Sequence, residues 1–227
     1  MIRFRTLKAD EIECRVKQST EKGAMILLYK DARCDMNILD ETVGEENWQR
    51  DHKELKGNIY GGIGINVNYF DSEVPMLWVW KWDAGSESNT EAEKGEASDS
   101  FKRAGFNWGI GRELYTAPFI WIKSADCKKL YQDDNKKWHC NDKFSVRDIG
   151  YYERKIDYLV IDNGGVLVYT FGEPDPTKRM RKHLLEYCMR NGIDESEVAE
   201  RFSLSKESTR EDFEKALNCL KGEHDGQ

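Results

Sequence analysis

The sequence predicts a fold that mixes strands and helices: a sheet packed on a long helix, followed by a small module of three helices. Three observations carry this. Residues 47–82 hold three strand-length runs in succession; the longest helical pattern of the chain, Glu91–Leu114, follows them; and past Pro174 and Pro176 the sequence turns to short amphipathic helices. Strands in one block and helices in the next point to helices segregated on one side of a sheet.

Taken in order, Leu7–Val16 places Leu7, Ile12 and Val16 among charges and predicts a short amphipathic helix. Gly23 opens GAMILLYK, an apolar run of strand length. From Asp31 to Val43, Met36, Leu39 and Val43 recur at helical spacing, and Gly44 supplies the stop. The three strand candidates are NWQRDHKEL, NIYGGIGINVNYF and MLWVWKW. The last alternates Trp78, Trp80 and Trp82 with Val79 and Lys81, as a sheet with two different faces requires. A polar loop, DAGSESNT, leads into the long helix. FIWIK (Phe119–Lys123) reads as a strand, and KIDYLVID with GVLVYTF as a hairpin joined around Asn163-Gly164. In the C-terminal part, TKRMRKHLLEYCMRNG is the first helix, and Asp194 with Glu197 caps a second. Ser208 with Glu211 has capping-box spacing for a third, whose apolar stripe is Phe213, Leu217 and Leu220. The division expected is 1–176 for the main domain and 177–227 for the helical module, with no internal repeat.

Bulk composition narrows the function. At 39% hydrophobic and 34% charged residues with only four prolines, the 227-residue chain has the make-up of a folded domain rather than a disordered one. The N-terminus lacks an apolar signal core and no run reaches membrane-spanning length, so a protein of the bacterial cytoplasm is expected. The six cysteines lack paired spacing and read as free thiols. A net charge of −7 argues mildly against a phosphate-rich partner, but residues 191–227 hold ten acids against five bases. The remainder is near neutral, and a local basic groove is compatible with it.

On the long helix, Ala97, Phe101, Ala104, Trp108 and Gly111 recur at spacings of four and three and form one core-facing stripe. Phe106 lies nearly opposite, flanked by Lys102 and Arg103. Two arrangements satisfy this spacing. One is an exposed aromatic between two cations, which suits single-strand binding because bases stack on rings while cations track phosphates. The other is a helix packed on both faces, with Phe106 in a second core. The glycines of YGGIGI and NWGIGREL match neither a dinucleotide fingerprint nor a P-loop. Gly61, Gly62 and Gly64 mark a bulge or a tight strand contact, and Gly109 and Gly111 permit close backbone approach or end the helix. His139, Cys140 and Cys127 are conceivable zinc ligands, but their spacing is unlike structural sites, so no metal is expected. Glu41, Glu45, Glu46, Asp71, Ser72 and Glu73 sit in helix-end or turn contexts where solvated acids are the default. No catalytic constellation stands out, and the chain is expected not to be an enzyme.

Together, YKDARCDMNILDETVGEENWQ, WVWKWDAGSES and EKGEASDSFKRAGFNWGIGRELY resemble the ordered blocks of the Rad52 family, in particular its phage and bacterial Sak-type and DdrA-like branch, over roughly residues 8–172. The resemblance implies an α+β fold with a β-β-β-α core, an antiparallel sheet on a long helix. It further implies side-by-side assembly into rings or filaments and ATP-independent binding and annealing of single-stranded DNA, in recombination or repair, without a cofactor. It places Lys102 and Arg103 on the family's paired DNA-contacting residues and Lys94 on a basic position of the same helix. Arg33 falls on or beside an arginine of the preceding helix, Cys34 occupying the strictly aligned place. Phe106 stands where eukaryotic members are basic, and Arg112 appears a turn and a half later. The C-terminal module lies outside the resemblance. Its Lys178, Arg179, Arg181, Lys182 and Arg190 suit the acidic tail of a single-strand binding protein, extra DNA affinity, or a solvated helix face. Two rival readings are a metal-dependent DNA-processing nuclease and a ring-forming assembly protein that does not bind DNA.

Overall fold

The computed structural model describes residues 2–85 and 92–224. The chain divides into two compact units, Met1–Phe171 and Gly172–Gln227. The first unit is α+β. In order it contains β1 (Glu13–Thr20), β2 (Gly23–Tyr29), α1 (Ala32–Val43), β3 (Trp48–Leu55), β4 (Asn58–Asn66), β5 (Trp78–Ala84), α2 (Ala92–Trp108) and β6 (Ile120–Lys123). A short hairpin, β7 (Leu130–Gln132) and β8 (Trp138–Cys140), precedes β9 (Phe144–Tyr152), β10 (Lys155–Asn163) and β11 (Val166–Phe171). One antiparallel sheet runs β11-β10-β9-β1-β2-β6, a second β3-β4-β5. No helix among the described residues is long and apolar enough to cross a membrane.

Local signals account for much of this. Asp31 caps α1 by accepting a hydrogen bond from the Cys34 N–H at 2.8 Å, and Gly44 closes it at φ 86°. The β10–β11 hairpin turns on Gly164 and Gly165, at φ 57° and 82°, as a two-residue loop between right-twisted strands demands.

Helix α2 is held on the β3-β4-β5 sheet by side chains reaching strand backbone. The Trp108 indole N–H donates to the Ile63 carbonyl at 2.9 Å, and Glu96, 7% exposed, accepts from the Ile59 N–H at 2.7 Å. Gly61 lets the helix come this close, since a Cβ there would lie 2.6 Å from Ser100 Oγ and 2.8 Å from the Phe101 nitrogen. On the other face of β4, Gly62 and Gly64 lie under the rings of Trp82 and Trp80. Phe101 and Ala104 are fully buried, and Trp48, its indole N–H on Asp40 at 2.6 Å, packs against Phe101.

Two of the expected elements in this unit need correction, and one strand was not anticipated. Leu7–Val16 is not a helix: a single 3-10 turn, Ala9–Glu11, leads into β1, whose charged side chains alternate with Cys14 and Val16 packed on the core. Pairing with β2 across a two-residue turn outweighs the local helical pattern. Helix α2 ends at Trp108 rather than Leu114, because Gly109 and Gly111 adopt φ of 98° and 70° and a 3-10 segment, Arg112–Thr116, follows. Strand β9 escaped the sequence reading; its pairing with β10 shifts register twice, and the bulges erase the two-residue alternation. The loop DAGSESNT lies largely outside the described residues.

The second unit contains α3 (Pro176–Asn191), α4 (Glu195–Arg201) and α5 (Arg210–His224). Asp175 and Asp194 cap the first two through their carboxylates. The third is capped one residue later than expected: the Thr209 N–H donates to Asp212 at 2.9 Å, while Ser208 Oγ accepts from the Ser205 N–H. Phe213, Leu217 and Leu220 are buried as a stripe.

Candidate nucleic-acid interface

The face of α2 turned away from the β3-β4-β5 sheet lines a cleft of about 430 Å³, closed on its other sides by β2 and by residues 114–120. Its wall carries Lys102 and Arg103, together with Asp99; Tyr29, Phe106 and Tyr115 contribute rings, and Lys30 sits at the base.

Lys30 and Asp35 build that base. The Lys30 ammonium is ion-paired with the Asp35 carboxylate, both almost fully buried, and it donates to the Lys102 carbonyl at 3.3 Å. It also lies 4.4 Å from the centre of the Phe106 ring, within cation–π range. Burial pushes the Asp35 carboxyl up to about 6 against the opposing pull of Lys30, and burial likewise lowers the Lys30 ammonium. Asp35 Oδ2 has no hydrogen-bond partner among the described residues. Gly105 makes room for the pair, since a Cβ there would lie 2.4 Å from Asp35 Oδ1.

Lys102 has a side-chain exposure of 16% and its ammonium lies 3.8 Å from Asp99; Arg103, 48% exposed, lies 3.4 Å from Asp83 on β5. Such long, part-exposed pairs are worth little and exchange readily for a phosphate. Tyr115 stands 70% exposed at the rim, and the Arg15 guanidinium lies 4.8 Å from the Tyr29 ring centre.

Phe106 is not the free aromatic of the first arrangement. Its ring is half-buried, packed at 4.9 Å on Tyr115 and against Lys30, so it belongs to a second apolar contact while still lining the cleft. Substitution separates the two roles. Phe106→Leu keeps apolar bulk but removes the ring; if a base stacks there, single-strand affinity falls by about 1–3 kcal/mol with little change in melting temperature. A lowered melting temperature at unchanged affinity assigns Phe106 to packing alone.

The other sequence candidates are dispersed. Arg112 donates to the carbonyls of Phe106 at 2.7 Å and Asn107 at 3.1 Å, which makes it a C-terminal cap of α2. Lys81, missed by the sequence reading, adds a second cation there, donating to the Asn107 carbonyl at 3.0 Å and lying over the Trp108 ring. Arg33 is exposed, but lines a separate shallow pocket with Asp10, Glu11, Glu13 and Asp31. Lys94 lies on α2, and its side chain falls outside the described residues. Also missed were Tyr29, Lys30, Asp35 and Tyr115, whose roles depend on contacts between distant parts of the chain.

The acids weighed for a nuclease do not converge. Glu41 pairs with Arg5 at 2.6 Å, Glu46 accepts from Asn47, and Asp71 shapes a turn by accepting from the Glu73 N–H. Of the zinc candidates, His139 is held by Asp133 at 2.9 Å and stacks on Tyr131, while Cys127 and Cys140 come together beside Asp142.

Comparison with known proteins covers the part of the chain that holds this cleft. The model of a family described as Rad52/22 family double-strand break repair protein matches residues 4–137, which include every cleft residue named above. The single-stranded DNA-binding protein DdrA of Deinococcus radiodurans is 30% identical over 108 residues, covering 47% of this chain and 48% of that protein. The matched part thus spans about half the length of the curated relative.

Proposed function

Because the chain belongs to the Rad52/22 family of double-strand break repair proteins, we propose that its α2–β2 cleft binds single-stranded DNA and that the protein anneals complementary strands without ATP. The observation that carries this reading is the meeting of Lys102 and Arg103 with the rings of Tyr29, Phe106 and Tyr115 in one open cleft. Cations neutralise phosphates and rings accept bases, a pairing that is tolerant of sequence. The name of the DdrA relative supports the same ligand. Annealing asks no bond chemistry of the protein: it needs a grip on one backbone that cancels repulsion from a second while leaving base edges free. Neither a catalytic residue nor a cofactor enters this mechanism.

In this reading residues 1–176 form the annealing and oligomerisation domain, with β3-β4-β5-α2 as its β-β-β-α core. Copies associate side by side into a ring or filament so that clefts join into a continuous groove. Residues 177–227 form a helical appendage. Its Lys178, Arg179, Arg181 and Lys182 offer a basic stripe to the acidic tail of a single-strand binding protein. The Arg181–Glu195 and Lys182–Glu186 contacts, at 4.0 and 3.9 Å between exposed side chains, are weak enough to exchange. Charge reversal at Lys178 and Lys182 that leaves capture of such a peptide unchanged removes this assignment.

The deciding experiment mixes the protein with labelled complementary oligonucleotides in EDTA and without ATP. Accelerated duplex formation is the expected result. Cleavage that appears only on adding a divalent metal identifies a nuclease instead, and ring formation with neither activity identifies an assembly protein.

A further inference from the structure

The β7–β8 hairpin is short, three residues in each strand, and its ends carry three side chains that the cleft does not use. Cys127 follows the 3-10 turn Ser124–Asp126, Cys140 ends β8, and Asp142 lies just beyond. The two sulfurs and a carboxylate oxygen all lie within 4.8 Å of one another, with Cys140 Sγ 3.3 Å from Asp142 Oδ2.

The carboxylate is held in place from behind. Asp142 Oδ2 accepts from the Lys129 N–H at 2.9 Å and Oδ1 from the Asn163 side-chain amide at 3.1 Å; the same amide donates to the Asp126 carbonyl at 2.9 Å. Lys128 donates to the Asn163 carbonyl at 3.1 Å, tying the other side of the site to the end of β10. These donors are neutral amides, apart from Lys128, which acts on Asn163 rather than on Asp142. No ammonium or guanidinium pairs with Asp142 among the described residues. A half-buried carboxylate facing two thiols, with outer hydrogen bonds that fix its orientation, has the form of a metal-ligand set with its supporting layer.

We propose that Cys127, Cys140 and Asp142 bind a zinc ion that closes the base of the β7–β8 hairpin, beside the end of β10. Two sulfurs select a thiophilic cation over magnesium or calcium, and a third ligand of oxygen suits zinc, whose tetrahedral shell a water completes. On binding, each thiol loses its proton to solvent, and the dication with two thiolates and one carboxylate leaves one net negative charge. Nothing is oxidised or reduced. The mechanical need is plain: strands this short are marginal by themselves, and a metal crosslink supplies the order that so small a hairpin does not provide. Spacing along the chain points away from zinc because these ligands do not form the short C-x-x-C or H-x-x-x-H pairs of structural sites. The fold replaces His139 with Asp142. The family match ends at residue 137, so Cys140 and Asp142 lie beyond it.

The test is a cobalt titration of the reduced full-length protein. One equivalent of Co²⁺ is expected to raise a thiolate-to-metal charge-transfer band that one equivalent of Zn²⁺ abolishes. Cys127→Ser and Cys140→Ser should each remove the band, Cys219→Ser should leave it, and Asn163→Ala should weaken binding about 10- to 100-fold. Zinc should also slow amide hydrogen exchange across residues 130–140. Absence of the band in the wild-type protein overturns the proposal, as does a band that persists in the Cys127→Ser, Cys140→Ser double variant. Recovery of a Cys127–Cys140 disulfide as the stable form, refractory to metal under reducing conditions, overturns it as well. None of these readouts depends on DNA, so they stand apart from the annealing assay.

Discussion

Replacing Lys102 and Arg103 together by alanine is expected to bring single-strand binding close to background at physiological salt while leaving the fold intact. The two residues occupy neighbouring positions on α2, at the wall of the cleft. Every phosphate that is no longer neutralised lowers the log-log salt dependence by about 0.7 for a single strand, so the pair should flatten it by about 1.4. The fold should tolerate the change because the ion pairs to Asp99 and Asp83, at 3.8 and 3.4 Å, are the weak, part-exposed kind. Lys102 is the more buried of the two, so Lys102→Met with Arg103→Met, which keeps the apolar stems, is the cleaner variant. Fluorescence anisotropy over a salt series, with circular dichroism as the folding control, decides it. Unchanged affinity and slope in a folded variant would falsify the site.

Asp35→Ala is expected to be the most damaging single change for stability. Among the described residues it leaves the Lys30 ammonium with the Lys102 carbonyl and the Phe106 ring as partners. Removing one member of a buried ion pair costs about 3–5 kcal/mol, which for a domain of this size is a fall in melting temperature on the order of 10 °C. The directions of the two acidities say that burial costs this pair more than mutual attraction returns. With the Asp35 carboxyl raised to about 6, the folded state holds a proton that the unfolded state releases near pH 4; this group's contribution is therefore largest below about pH 4 and is lost as pH rises through about 6. The double variant Lys30→Met, Asp35→Leu should then be at least as stable as the wild-type protein at neutral pH and should lack that dependence. Because Lys30 lies at the base of the cleft, the double variant also shows whether its charge contributes to DNA affinity. An Asp35→Ala protein that melts with the wild-type protein contradicts this account.

The signals legible in the sequence were those that act within a turn or across a tight hairpin. The helical spacing and Gly44 stop of α1, the glycine turn after Asn163, Asp194 at α4 and the Phe213, Leu217, Leu220 stripe each depend on neighbours a few residues away. The alternation of Trp78, Trp80 and Trp82 announced β5 for the same reason. Where the deciding partner was remote, local pattern misled. Residues 13–20 are a strand because β2 and β9 pair with them, and β9 is bulged into an irregular pattern by β10.

The candidate site divides along the same line. The amino-acid sequence by itself determined that α2 has one core stripe, Phe101, Ala104 and Trp108, and that Lys102 and Arg103 lie off it. Its resemblance to a known family named those two residues as DNA contacts. Only the tertiary structure decided that Phe106 is part of a packed contact with Tyr115 and Lys30, that Arg112 caps its own helix, and that Arg33 sits among acids. It also decided which thiols share a carboxylate. The physical reason is reach. Helical periodicity constrains groups one turn apart, but Lys30 meets the Lys102 carbonyl across 72 residues and the Leu7 N–H meets Glu113 across 106, distances that sheet pairing and core burial close together.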